Sequence, residues 1–306
     1  MATFQDPADI KVGVIGYGGA FNMGRSHLQQ ARQAGMTPRA VCELDPARLE
    51  VAQADFPGIQ TYARVEDLLA KSDVDLVIHI TPHNVHFPLA LQCLRAGRNV
   101  VTEKPFVLAT RQADALIAEA HKRKLLVSTY HNRHWDGCIL RAVDQVVGHQ
   151  VVGEVLRITA TMGGYDMPGT WWRSSQSVSG GILFDWGVHL LEYSLQLLPG
   201  AKATEVTGLA HRGFWANRMP KSHPWKNDCN EDDAMALVRF DTGAALQLTV
   251  SNLRSYDRPG FLEVFGTLGT YTIDWNTWTL RRPEGAKDKT TGKPVCVTET
   301  GPHWPS

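Results

Sequence analysis

The feature that most constrains this chain is the exchange of short apolar runs with helix-length segments over its first 130 residues. Residues 10–15 form an apolar run that breaks into glycines, the pattern of a strand. Residues 23–34 read as a helix stopped by Gly35, 39–43 as a second strand, and 46–55 as a helix opened by Pro46. The run VDLVIHI at 74–80 is continuously apolar, as expected of a strand buried on both faces. A helix at 87–96, a strand at 99–102, a helix at 111–124 and a strand at 125–130 complete the series. Strands separated by such helices form βαβ units. The right-handed crossover rule makes of them an α/β, doubly wound parallel sheet.

The grammar changes after about residue 132. A helix at 138–147 leads into a period-two run at 155–161. An irregular loop spans 163–181, and a helix spans 183–198. Strand-like runs then recur at 203–210, 234–240, 244–252, 260–266, 269–275 and 278–282, joined by turn residues such as Asp241-Thr242-Gly243. This predicts an α+β second domain with one large, mainly antiparallel sheet, and domains at 1–132 and 133–306. The polar segment 281–294 reads as an exposed loop. The full length of 306 residues suits two domains.

Lys plus Arg and Asp plus Glu are both 31, a net charge of zero, so nothing calls for nucleic acid or an anionic membrane. No apolar run approaches a bilayer span, and the N-terminus lacks the pattern of a secretory signal. Five separated cysteines without C-x-x-C suit reduced thiols. A cytoplasmic location is the expectation.

The first strand runs into Gly16-Tyr17-Gly18-Gly19. Such a turn lets main-chain amides approach a pyrophosphate at a helix N-terminus, although a tight turn without a ligand has the same composition. The spacing is irregular, because the next glycine, Gly24, comes late. Glu43 ends the second strand, where a carboxylate reads ribose hydroxyls and repels a 2′-phosphate, which favours NAD and leaves NADP open. Asp45 either shares that role or caps the next helix. Lys104, in Glu103-Lys104-Pro105, follows a strand at the carboxyl edge of the sheet, where its ammonium can stabilise a developing alkoxide. Asp185 and His189, four apart, are expected on one face of the 183–198 helix. An imidazole there suits a general base, or equally a satisfied core residue. His79, His83 and His86 are expected not to converge, so no metal is expected.

Together these segments resemble the Gfo/Idh/MocA oxidoreductases. The resemblance rests on VGVIGYGG…GRSH, on TPHNVHFPLALQCLRAGRNVVTEKP, on HNRHWD and on WWRSSQSVSGGILFDWGVHLLE, in that order. It implies an N-terminal Rossmann domain and a C-terminal domain whose open sheet forms a homodimer or homotetramer interface. Lys104, Asp185 and His189 match the catalytic positions, with His189 as proton acceptor. Thr81, Pro82, His86 and Glu103 match the family's cofactor positions, and the expected cofactor-binding residues are these with Gly16, Gly18, Gly19, Ala20, Phe21, Asn22, Met23, Glu43, His83 and Lys104. Arg133, Trp172 and Arg173 match positions at the substrate pocket, beside Lys104, Asp185 and His189.

Three departures stand out. The glycine loop is about three residues longer than usual, which brings Asn22 and Met23 toward the pyrophosphate or ribose. The Thr81-Pro82-His83-Asn84 segment places His83 where relatives carry Asn. The chain stops at Ser306, where many relatives continue into a terminal helix, so a truncated or a shortened member is expected.

Nine tryptophans, among them Trp171, Trp172, Trp186, Trp215 and Trp225, suit the C–H faces of a neutral sugar, anhydrosugar or cyclitol, or simply a core. The implied activity is hydride transfer between NAD(P) and a secondary hydroxyl. The alternatives are an NAD-dependent glycosidase using transient oxidation and a non-catalytic NAD-binding regulator.

Overall fold

Residues 4–19, 21–287 and 290–305 are described by the computed structural model. The chain divides into two compact units, Met1–Tyr130 and His131–Ser306; the boundary expected from sequence falls two residues later.

In the first unit, β1 (Lys11–Ile15), α1 (Met23–Gln33), β2 (Thr37–Cys42), α2 (Pro46–Asp55), β3 (Gln60–Tyr62), α3 (Val65–Lys71), β4 (Leu76–His79), α4 (His86–Arg95), β5 (Asn99–Glu103), α5 (Thr110–Arg123) and β6 (Val127–Tyr130) alternate along the chain. The sheet order is β3-β2-β1-β4-β5-β6, all parallel. The order reverses between β1 and β4, which opens a crevice beyond their carboxyl ends. Helices cover both faces, so β1 is buried and uncharged from Val12 to Ile15. Val12 and Val14 pack with Leu28 and Phe56, while Ile15 packs with Val77, Val100 and Leu116. The expected list lacked β3 and α3, which are only three and seven residues long, too short to carry a clear periodic signal.

The second unit runs through α6 (Gly137–Ala142), β7 (Val155–Gly163), α7 (Gln176–Ser179), α8 (Gly187–Gln196), β8 (Ala203–His211), α9 (Phe214–Arg218), β9 (Asp233–Phe240), β10 (Ala245–Ser251), β11 (Leu262–Gly266), β12 (Thr270–Ile273), β13 (Thr277–Lys287) and β14 (Pro294–Pro302). Its eight-stranded sheet has the order β14-β13-β12-β11-β7-β10-β9-β8. All pairs are antiparallel except β7 with β10. One face is the core, where Ile158, Ala160, Leu246 and Leu248 meet Leu190 and Tyr193 of α8.

One sequence expectation is corrected here. The segment 281–294 is not simply a loop: its start belongs to β13, which pairs with the edge strand β14. This hairpin is largely exposed, so its sequence lacks the alternation that marks a half-buried strand. The cysteines are free, and Cys42, Cys93 and Cys138 are buried as small hydrophobes, but Cys296 is exposed on β14.

His79, at the end of β4, is completely buried with neither ring nitrogen hydrogen-bonded. Burial drives its pKa well below that of a free imidazole, so it stays neutral. The unfolded chain protonates this ring below about pH 6.5 while the folded one does not. Stability is therefore present above that pH and lost below it. Between pH 7 and pH 5 the cost is about 2 kcal/mol for this one group. In urea unfolding at both pH values, His79→Leu is expected to lose about that much less stability than the parent. Equal acid sensitivity in the two proteins would rule out His79 as the source.

Candidate active site

The first unit builds its site where β1 ends. Gly16 takes φ +100°, and a Cβ there would lie 2.1 Å from the Ile80 carbonyl oxygen. Only glycine lets the chain turn against the main chain leaving β4. Tyr17 is buried beneath the turn and donates its hydroxyl to Asp55 (2.8 Å). Gly18 faces open space, with nothing within 4 Å of its notional Cβ. The late glycine has its role too. A Cβ at Gly24 would sit 2.6 Å from the Gly16 oxygen, so Gly24 packs α1 onto the turn. The extra residues lie between, with Asn22 in the left-handed region (φ 47°) as N-cap and Met23 as the first residue of α1. Phe21 is exposed. Ala20 lies outside the described residues. Gly19 packs against Arg48, whose guanidinium occupies the place of a side chain there.

Glu43 accepts the Tyr17 amide (2.6 Å) and the Leu44 amide (2.6 Å), so the end of β2 is tied to the glycine turn. Asp45 caps α2 through the Ala47 amide (3.0 Å), which settles its two readings in favour of the cap.

Beyond β4, Pro82 leads into a turn at His83–Val85 that folds His83 and His86 back toward His79. The expectation that these rings stay apart is wrong. His79 and His86 lie 5.3 Å apart between ring centres, and His83 and His86 lie 5.6 Å apart. They do not form a ligand set, because His86 is committed to main chain. Its Nδ1 lies 2.7 Å from the Pro105 oxygen and its Nε2 lies 3.0 Å from the Thr81 oxygen. Among the described residues no group of His, Cys, Asp or Glu is arranged to hold a metal. Burial lowers the His86 pKa, against the opposing pull of those two carbonyls. His86 thus ties the turn after β4 to the segment carrying Lys104. Glu103 is held from α1 by His27 (2.8 Å), a buried residue overlooked in the sequence, and accepts the Lys104 amide (3.2 Å).

These residues fit a dinucleotide. The crevice ends in a glycine turn at a helix N-terminus. Asn22 Oδ1 and Thr81 Oγ1 are buried side-chain atoms without a partner in the chain, placed after β1 and β4. Unsatisfied buried polar atoms are uncommon in proteins, and these two are in a position to meet the polar groups of a bound dinucleotide.

In the second unit, Asp185 and His189 are not on one helical face. A turn of 3-10 helix at Ile182–Phe184 ends at Asp185, and α8 begins only at Gly187. The His189 amide bonds to the Trp186 oxygen (3.1 Å) rather than to Asp185. Gly181 (φ +126°) sets this turn against Glu231, which accepts the Ile182 amide at 3.0 Å. Asp185 pairs with Arg173 (3.2 Å), and that guanidinium lies over the rings of Trp171 (4.8 Å) and Trp172 (4.5 Å). Arg133 pairs with Asp136 (2.9 Å) and lies over Trp186 (4.8 Å) and Trp275 (5.3 Å). Around these groups is a cavity of about 770 Å³, lined among others by Arg133, Trp171, Arg173, Asp185, Trp186 and Trp275. Trp172 backs Arg173, and Trp171 does the lining. His189 is buried beside Trp186 (ring centres 5.5 Å) and bonded to His131, Nδ1 to Nε2, at 3.0 Å. Sequence reasoning gave His131 no role, because residues 58 apart carry no spacing signal.

Known proteins agree with this architecture. Residues 10–131 match the family model "Oxidoreductase family, NAD-binding Rossmann fold", and residues 140–272 match the "GFO/IDH/MocA C-terminal domain". A scyllo-inositol 2-dehydrogenase (NADP(+)) of Bacillus subtilis is 26% identical over 66% of this chain and 56% of its own length. A myo-inositol 2-dehydrogenase of Thermotoga maritima is 25% identical over 87% of this chain and 75% of its own. An uncharacterized oxidoreductase of Escherichia coli, YdgJ, is matched over 60% of its length, so the chain spans less than two-thirds of several such relatives. The crystal structure of an NAD-binding protein from Listeria innocua superposes with a TM-score of 0.77 at 26% identity, covering 94% of this chain and 80% of that one. The chain belongs to the GFO/IDH/MocA oxidoreductase family, and its first unit is an NAD-binding Rossmann domain.

Proposed function

We propose that this protein transfers a hydride between NAD(P) and a secondary hydroxyl, or the corresponding carbonyl, of a neutral sugar, anhydrosugar or cyclitol. The observation that carries the substrate class is the cavity of the second unit. Its two arginines are each paired with a carboxylate, and its walls include the indoles of Trp171, Trp186 and Trp275. Paired charges offer hydrogen bonds to hydroxyls without a net field for an anion, and indole faces suit C–H faces. The inositol dehydrogenases among the relatives support the same class.

When bound, the nicotinamide supplies the hydride acceptor. In this reading His189 takes the hydroxyl proton and Lys104 stabilises the charge developing on oxygen. Asp185, held by Arg173, orients the substrate. Thr81, Pro82, His83 and His86 line or brace the cofactor's nicotinamide half, and Glu43 reads its adenosine ribose. Arg133 and Arg173 are the polar handles for hydroxyls. We further propose a cytoplasmic homo-oligomer formed through the sheet of the second unit. In support, Leu209 and Leu237 lie exposed on the face of β8 and β9 turned away from the core.

Reduced-nicotinamide absorbance against inositols, aldoses, anhydrosugars and aryl glycosides tests the reaction. Phenol release from an aryl glycoside without net reduction would instead establish the glycosidase reading. Lys104→Ala is expected to lower kcat by about 10²-fold or more, with NAD affinity, measured by calorimetry, nearly intact. A variant retaining most of its rate would remove Lys104 from the chemistry. Glu43→Ala is expected to weaken NAD about tenfold and NADP less. An unchanged preference between the two cofactors would contradict the ribose assignment.

A further inference from the structure

We propose that Asp166 and Asn252 set the specificity of the second unit's cavity: their side chains hold substrate hydroxyls remote from the reacting carbon, and the Asp166 carboxylate turns away sugars that carry a carboxylate of their own. The proposal rests on the reading of this cavity as the site of a neutral sugar or cyclitol, and it assigns the part of the wall that the reading leaves unused. Both residues line the cavity of about 770 Å³ that also meets Arg133, Arg173 and Asp185.

The sheet places these two side chains together. β7 and β10 run parallel and end side by side at Gly163 and Ser251. Gly163 takes φ +120°, and a Cβ there would lie 1.8 Å from the Ser251 carbonyl oxygen, so only glycine lets the two main chains meet. Beyond that contact the chains stay joined. The Gly164 amide donates to the Ser251 oxygen (3.1 Å), the Arg254 amide to the Gly164 oxygen (2.9 Å) and the Asp166 amide to the Asn252 oxygen (3.2 Å). The Asn252 amide donates to the Asp232 oxygen (2.7 Å), and the Trp215 indole N–H donates to the Asn252 oxygen (3.0 Å). The main chain beneath both side chains is thereby fixed before a ligand arrives, which lowers the cost of binding one.

The side chains themselves are uncommitted. Among the described residues, neither the Asp166 carboxylate nor the Asn252 side-chain amide forms a hydrogen bond or an ion pair. Asp166 is exposed and Asn252 half-buried, so both are open to a ligand in the cavity. Asp166 Oδ2 lies over Gly164, where a Cβ would come within 2.9 Å of it, and this keeps the carboxylate beside the end of β7. Arg133 has Asp136 as a partner and Arg173 has Asp185, whereas Asp166 has no cation beside it. A carboxylate accepts from two adjacent hydroxyls, and a carboxamide both accepts and donates, which together match a polyol. A carboxylate on the ligand would instead face a like charge in a partly closed cavity. Repulsion over a few ångströms there is enough for about a tenfold loss of affinity.

The test measures dissociation constants by ligand-observed NMR, with NADH present so that no sugar is oxidised. It compares the whole chain with Asp166→Asn, Asp166→Ala and Asn252→Ala. The probes are glucose with glucuronate and galactose with galacturonate. The parent is expected to prefer at least one neutral sugar over its uronate by about tenfold or more. Asp166→Asn keeps an acceptor and removes the charge, and should cut that preference about tenfold. Asp166→Ala and Asn252→Ala should each weaken the neutral sugar about tenfold. In turnover with NAD(P) the loss should fall on KM, with kcat within about threefold, because the contacts are remote from the reacting carbon. The same preference in the parent and in Asp166→Asn would overturn the proposal, as would a parent that binds the uronates as tightly as the neutral sugars. A parent that shows the charge-dependent preference and yet turns over neither sugar would support the assignment of Asp166 and contradict hydride transfer. A parent that binds none of the probes would overturn the reading of the cavity and this proposal with it.

Discussion

The close approach of Gly16 to the Ile80 carbonyl is the contact on which the first unit's chemistry depends. It occurs where the strand order reverses between β1 and β4, and no side chain fits into it. Because the main chains touch there, the turn after β1 and the turn after β4 form one rim. Gly24 then seats α1 directly on that rim, and Glu43 fastens it to the end of β2. The amides at the helix N-terminus and the residues after β4 are thereby fixed before any ligand arrives. Preorganisation of this kind is what a fold contributes to a cofactor whose own chemistry is already set.

A second layer of main-chain bracing supports the lysine. His86 reaches the oxygens of both Thr81 and Pro105, and His27 holds Glu103 from α1. These histidines are buried, and their work is done by ring nitrogens on backbone and carboxylate oxygens. Among the described residues no metal-ligating geometry accompanies them. In the second unit the arginines are braced comparably, each between a carboxylate and indole rings.

Much of the first unit was legible in the sequence because parallel strands buried on both faces read as largely apolar runs, as at 74–80. The places of the glycine turn, Glu43 and Lys104 at the carboxyl ends of β1, β2 and β5 were legible for the same reason, since each closes such a strand. The second unit resisted where its strands are exposed. β14 and the end of β13 carry polar residues on both faces, so nothing in their composition separates them from a loop. The break before α8 was hidden because an apolar stretch from Leu183 to Leu198 satisfies a helical pattern even when two residues leave the helix. Asp185 therefore lost its place on a shared face with His189 and gained Arg173 as its partner. The convergence of His79, His83 and His86 needed the turn at His83–Val85, whose residues give no periodic signal. The bond between His131 and His189 joins residues 58 apart and was beyond any spacing rule.

The account stands on hydride exchange with a neutral polyol, and one assay addresses it directly. The full chain is mixed with NAD or NADP and a panel of inositols, aldoses and anhydrosugars, and reduced-nicotinamide absorbance is followed. The account predicts absorbance growth with at least one neutral member, faster with NAD and absent with the cofactor or substrate alone. Silence across the panel from a protein that binds NAD by calorimetry would contradict it.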